Sequence, residues 1–191
     1  MATRVGLDHA MVVHAAAELA DAQGLHEVTL ATLAARLGVR TPTLYHYVAG
    51  LGGLRRELAL LGCQELAQRL GKAVMGKSGD EALRGLAYAY REFVHVHPGL
   101  YDATVQAADR DDTELVAAQT EVVEIAIRAL SAYHLANEDA IHAVRMLRSV
   151  VHGFATLEQS GGFGIPLDID ETFERLLTIF LRGLGGKKEE L

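Results

Sequence analysis

The stretch from Thr29 to Tyr47, TLATLAARLGVRTPTLYHY, constrains the fold of this chain more than any other. Leu30, Leu33, Ala34 and Leu37 recur at i, i+3, i+4 and i+7, the spacing of one buried helical stripe, and Thr29 stands where an N-cap belongs. Gly38 follows the last apolar residue, as expected of a residue that accepts positive φ without a Cβ penalty. Arg40-Thr41-Pro42 restarts a helix of about two turns. Thr41 is the expected N-cap, and Pro42 stands at the first helical position, where a missing N–H costs nothing. Two short helices joined by a glycine turn are the arrangement that lays a recognition helix into the DNA major groove. Small helical proteins also use such a pair for packing alone.

The particular residues narrow that choice. Thr29, Leu33-Ala34, Leu37-Gly38-Val39, Pro42-Thr43-Leu44-Tyr45, Tyr47-Val48 and a downstream Leu54 resemble the tetracycline-repressor (TetR) family of transcriptional regulators. The carboxyl-terminal half is similar to one ligand-binding subclass of that family, marked by a Trp-His-Gly motif. Val151-His152-Gly153 here carries valine in place of tryptophan, and Phe154, Leu157, Gly161-Gly162-Phe163 and His97-Pro98-Gly99-Leu100-Tyr101 fit the same subclass. The resemblance implies an all-α protein of about nine helices. Residues 1–50 would form a helix-turn-helix DNA-binding domain, and residues 51–191 a ligand-binding and dimerisation domain.

Composition agrees with a helical reading. Half of the 191 residues are hydrophobic and there are three prolines. No apolar run reaches the roughly 18 to 20 residues needed to cross a bilayer. The amino terminus lacks a secretory signal's apolar core, and the single cysteine, Cys63, rules out an internal disulfide framework. A reducing cytoplasm is the simplest address. The net charge of −7 opposes a polyanionic partner, but it is unevenly distributed. Residues 1–56 hold five basic and four acidic groups, against 13 and 21 in the remainder. Affinity for DNA should therefore rest on local phosphate contacts and on two copies acting together.

Along the chain, Asp8 to Ala22 reads as an amphipathic helix that braces the motif, and VAGLGG after Tyr47 as a glycine-rich turn. Further helices are expected from about Leu54 to Met75, Glu81 to His95, Leu100 to Ala107, and Asp111 or Asp112 to Tyr133. Asn137 is the expected cap of a helix ending near Gln159, and Asp168 or Asp170 starts the last one. Lys187 to Leu191 is a charged tail, expected to be frayed.

The candidate DNA contacts are Thr29, Arg40, Thr41, Pro42, Thr43, Tyr45, His46 and Tyr47. The Thr29 hydroxyl and its helix N-terminus suit a phosphate. Arg40 can donate twice to guanine, Pro42 can meet a thymine methyl, and the threonines, tyrosines and His46 suit backbone or base edges. Tyr47 can equally pack beneath the motif. The family usually has a lysine near the start of the fourth helix to hold a phosphate. Leu51 stands there in this chain, with Arg55 or Arg56 one turn later as possible substitutes.

For a small-molecule effector the candidates are Phe93, Tyr101, Val105, Val122, Met146, His152 and Phe154, with Tyr101 and His152 as polar anchors in an otherwise apolar pocket. The same residue types at helical spacing also make ordinary core. A ligand favouring a splayed spacing of the recognition helices would lower operator affinity by population shift. For a homodimer, Ser149, Gly153 and Thr156 form a stripe of small residues. The last helix adds Phe173, Leu177, Phe180 and Leu184, and exposing them would leave a large apolar patch. The same stripe can pack within one subunit.

Other classes fare worse. Gly71, Gly76, Lys77 and Ser78 match a phosphate-binding loop literally, but a helical pattern rather than a strand precedes them. The nine histidines keep a metal-sensing regulator open, although His95 and His97 are two apart, which separates them on a helix. A helical ligand-binding protein with weak or no operator binding is the remaining alternative. No cofactor, no catalytic residue and no metal ligand is expected.

Overall fold

The computed structural model describes residues 7–106 and 108–185; the tail from Lys187 lies outside them. Among the described residues there are nine α-helices, two short 3-10 turns and no strand, so the fold is all-α. The chain divides into two compact units, residues 1–65 with 96–119, and residues 66–95 with 120–191. The first unit holds all the described residues up to 50 together with later segments of the chain.

In the first unit, α1 (His9–Gln23) is capped by Asp8, whose carboxylate accepts the Met11 N–H at 2.7 Å. A 3-10 turn (Leu25–Glu27) leads to α2 (Leu30–Leu37) and α3 (Thr41–Leu44). Val12, Ala16, Leu19, Leu33 and Leu44 are fully or nearly fully buried. Burial of each large side chain stabilises the unit by about 1.5–3 kcal/mol. α4 (Gly50–Val74) begins four residues earlier than expected, because Gly50, Gly52 and Gly53 form its first turn instead of a separate loop. Its first part, with α6 (Pro98–Thr104) and the start of α7 (Thr113–Ala129), completes the unit. Ala59, Leu60 and Cys63 of α4 pack with Leu115 and Ala118 of α7 in a buried cluster. The choice between Asp111 and Asp112 is settled at Asp112, which accepts the Leu115 N–H at 3.1 Å.

The second unit contains α5 (Gly79–Val96) up to His95, α8 (Asn137–Gln159), α9 (Ile169–Gly185) and the later parts of α4 and α7. A 3-10 turn (Ser131–Tyr133) ends the expected long seventh segment, which is regular only to Ala129. Asn137 does not cap α8. Ala136 holds the N-cap position without a side-chain bond, and Asn137 is the first helical residue. Asp168 does cap α9, accepting N–H groups from Asp170 and Glu171 at 2.9 and 3.1 Å.

In this unit Arg91, 8% exposed, donates to both carboxylate oxygens of Glu158 and to Asp170 at 2.5–2.7 Å. It lies over the rings of Phe154 and Phe173, 5.4 and 4.9 Å from their centroids. The guanidinium bonds and a bond from His95 hold Glu158 below the usual carboxylate range. Tyr88 is pushed up to about 12, first by burial and then by its bond to Glu174.

Candidate nucleic-acid interface

The helix-turn-helix is built from local chemistry. Thr29 caps α2 reciprocally with Thr32: the Thr32 N–H donates to the Thr29 hydroxyl at 3.1 Å and the Thr29 N–H to the Thr32 hydroxyl at 2.9 Å. The expected capping role of Thr29 is present, and its hydroxyl is already engaged. Gly38 takes the left-handed conformation (φ 67°, ψ 29°), and the Val39 N–H reaches back to the Ala34 carbonyl at 3.0 Å. Arg40, not Thr41, is the N-cap of α3. Its extended backbone (φ −86°, ψ 145°) lets its carbonyl accept the Thr43 N–H at 2.9 Å. Thr41 is therefore the first helical residue and Pro42 the second. α3 is one regular turn rather than two, with irregular turns through residues 45–49.

One face of this segment is buried and the other is open. Leu33 and Leu44 are fully buried, while Arg40, Pro42, Tyr45 and His46 are exposed, Tyr45 by 62%. Thr41 and Thr43 are half-buried. Tyr47 is half-buried too, and its hydroxyl donates to the Leu7 carbonyl at 2.9 Å. That bond ties the chain ahead of α1 to the end of the motif, so the packing alternative for Tyr47 has a concrete partner.

The arginines separate into two classes. Arg36 donates to Glu18 at 2.5 Å. Arg56 is held by Asp112 through two bonds of 2.6 and 2.8 Å, by Glu114 at 2.7 Å and by Glu57 at 3.0 Å. These bonds raise the Arg56 guanidinium well above its ordinary range and hold Asp112 below its own. Arg56 is therefore removed as a substitute for the missing lysine. Arg55, exposed and four residues beyond the half-buried Leu51, makes no ion pair among the described residues. Two partners of Arg56, Asp112 and Glu114, lie 56 and 58 residues away in the chain, so no local pattern near Arg56 announces them.

The effector candidates fall into both units. Tyr101 and Val105 belong to the first, the other five to the second. Phe93, Tyr101 and Phe154 are buried, Val122 and His152 half-buried, and Val105 and Met146 exposed by 40% and 51%. A cavity of about 550 Å³ in the first unit is lined by Leu25, Arg55, Ala59, Asp102, Gln106 and Asp112 among others, and by none of the seven. Of the dimer candidates, Ser149 is exposed, and Gly153, Thr156, Phe180 and Leu184 are half-buried. Phe173 and Leu177 are fully covered by their own subunit. α9 carries two adjacent apolar stripes. The one containing Phe173, Leu177 and Leu181 is core, while Leu176, Phe180 and Leu184 remain half-exposed and Ile179 is 72% exposed. Phe173 and Leu177 are thus buried within the chain, and the outer stripe is the open one.

A capped helix, a left-handed glycine turn and a short helix with an open polar face define a helix-turn-helix regulator fold. Residues 12–48 match the family model of bacterial regulatory proteins, tetR family, and residues 83–180 that of the tetracyclin repressor-like C-terminal domain. The HTH-type transcriptional regulator YobS of Bacillus subtilis (strain 168), described as uncharacterized, is 38% identical over 96% of both chains. Rv0681 of Mycobacterium tuberculosis (strain ATCC 25618 / H37Rv), with the same description, is 32% identical over 93% of this chain and 82% of its own. The crystal structure of BioQ with its double-stranded DNA operator superposes with a TM-score of 0.71 at 23% identity, covering 95% of this chain and 100% of BioQ, a likeness of fold. The chain belongs to the TetR family and is a TetR-type transcriptional regulator. Among the described residues no helix is long and apolar enough to cross a membrane.

Proposed function

We propose that this regulator is a cytoplasmic repressor that binds a palindromic operator as a homodimer and releases it when a small molecule binds the carboxyl-terminal domain. The observation that carries the reading is the open face of α3, where Arg40, Pro42, Tyr45 and His46 are exposed above a fully buried Leu44. Arg40 is the base reader, Pro42 and Tyr45 flank it, and Thr29, Thr41, Thr43 and His46 serve the backbone. Arg55 supplies the phosphate contact that Leu51 cannot. The outer stripe of α9 with Ser149, Gly153 and Thr156 of α8 forms the twofold interface, which sets two recognition helices about one DNA turn apart. DNA as partner is supported by the BioQ structure, which holds that protein's operator. A ligand is supported by the likeness to a tetracycline-repressor structure from Acinetobacter baumannii AYE in complex with minocycline, of that protein.

The test is selection of bound duplexes from a random pool, with an Arg40→Ala, Tyr45→Ala double variant alongside. A palindromic motif enriched by the native protein and lost by the variant is expected. No enrichment at low salt, where phosphate contacts are strongest, sinks the reading.

A further inference from the structure

α6 has an unusual start. Its N-cap residue, His97, makes no side-chain capping bond, and Pro98 at the first helical position has no N–H. The orphan N–H of Leu100, in a residue 1% exposed, is instead satisfied from another helix: Asp21 of α1 accepts it through Oδ1 at 2.9 Å. The second oxygen of Asp21 bonds His97 Nδ1 at 2.8 Å, and the other ring nitrogen of His97 stands 3.9 Å from Glu65 of α4. Capping α6 and docking it on α1 are therefore one interaction. Gly99 makes the approach possible, since a Cβ there would collide with the backbone carbonyl of Ala20. On α4, Gly62 leaves room for the Leu100 carbonyl and the Thr104 methyl in the same way.

We propose that Asp21 is a positioning residue for DNA binding, a carboxylate that fixes α6 to the helix on which the reading unit is mounted. The proposal rests on the DNA-binding reading above. Three residues before Asp21, Glu18 bonds Arg36 of α2 at 2.5 Å, so the last two turns of α1 hold α6 by one carboxylate and the helix-turn-helix by another. His97 is the single residue between the end of α5 and the start of α6. Asp21 touches no part of the open face of α3; it acts through α1.

The experiment uses the full chain with Asp21→Ala and Asp21→Asn. The alanine removes both bonds, while the asparagine keeps an oxygen for the Leu100 N–H and loses the charge toward His97. Two quantities are measured well below the unfolding midpoint: affinity for the selected duplex per folded molecule, and hydrogen exchange of peptides covering residues 30–48 without DNA. Asp21→Ala is expected to weaken binding about tenfold, within the usual range of coupling between sites, with faster exchange across residues 30–48. Asp21→Asn should lose less. A purely structural cap would lower the midpoint and leave both quantities where they were. Affinity within about twofold of the native protein overturns the proposal, whatever the exchange shows. If the alanine variant does not fold, the asparagine variant decides by the same criteria. If the native protein selects no DNA, the operator reading falls and the proposal falls with it; if it selects DNA and the variants bind equally well, the proposal alone falls.

Discussion

Replacing Arg55 by alanine removes a cation that makes no ion pair among the described residues, whereas replacing Arg56 removes one already neutralised by Asp112, Glu114 and Glu57. The two neighbours should therefore affect DNA binding in different ways. A protein that covers a phosphate releases condensed counterions, and log K then falls against log salt with a slope of about −0.9 per phosphate. With one Arg55 from each protomer on the operator, Arg55→Ala should make the slope shallower by about 1.8. Between 50 and 200 mM salt, a fourfold change, that difference amounts to roughly a twelvefold smaller loss of affinity for the variant. Arg56→Ala should lower the unfolding midpoint, because it leaves three carboxylates gathered without their cation, and should leave the slope unchanged. The assay is fluorescence anisotropy of the selected duplex across a salt series, paired with thermal unfolding. An unchanged slope in Arg55→Ala, or a drop of about 1.8 in Arg56→Ala, refutes the reasoning.

Other expectations follow from single contacts. Glu158→Gln leaves Arg91, 8% exposed, with the exposed Asp170 as its remaining carboxylate, and should cost about 1–3 kcal/mol in denaturant unfolding. Because Arg91 and His95 hold Glu158 below its ordinary value of 4.5, its contribution is complete above that pH and is lost as pH falls through the depressed value. The acid limb of the stability curve should be shallower in Glu158→Gln, and superposable limbs would contradict this. Gly99→Ala forces α6 off the Ala20 carbonyl and should destabilise by about 3 kcal/mol, read by the same unfolding assay. Arg40→Ala should weaken the selected operator by about 1–3 kcal/mol per half-site and relax preference at one base pair, measured by repeating the selection.

The parts readable from the sequence are those whose chemistry is local. Thr29, Gly38 and the Leu30–Leu37 stripe specify α2 and its turn within ten residues, and α8 ends at Gln159 as expected although it starts one residue early. The errors are of one kind. Thr41 was the natural cap by residue type, but the extended backbone at Arg40 starts the helix one residue earlier. The glycines at 50, 52 and 53 suggest a loop by propensity, yet tertiary packing makes them the first turn of α4. Neither correction moves the open face of α3. The contacts that pattern reading missed join residues far apart in the chain: Asp21 with His97 at 76 positions, Arg56 with Asp112 at 56, Arg91 with Glu158 at 67. No helical period links such residues, so a sequence shows the charges without showing which of them cancel.

That cancellation is what reconciles an acidic chain with a polyanionic partner. Four arginines lie between residues 7 and 56. Carboxylates of the same unit take two of them, Glu18 on Arg36 and Asp112 with Glu114 and Glu57 on Arg56. Among the described residues up to 56, Arg40 and Arg55 remain, so two copies would bring about four such arginines from this segment to an operator. With phosphate contacts from those four alone, the salt slope above the histidine range should be no steeper than about −3.6. Binding this sparing in charge must draw its affinity from base contacts and from the second copy, since one protomer alone would offer half the cations. A measured slope near −7 at pH 8 would mean that cations beyond Arg40 and Arg55 meet phosphate, and would overturn this division of the arginines. A slope within the bound, with affinity that collapses on a half-site, is the outcome expected of a reader that recognises its operator more by fit than by charge.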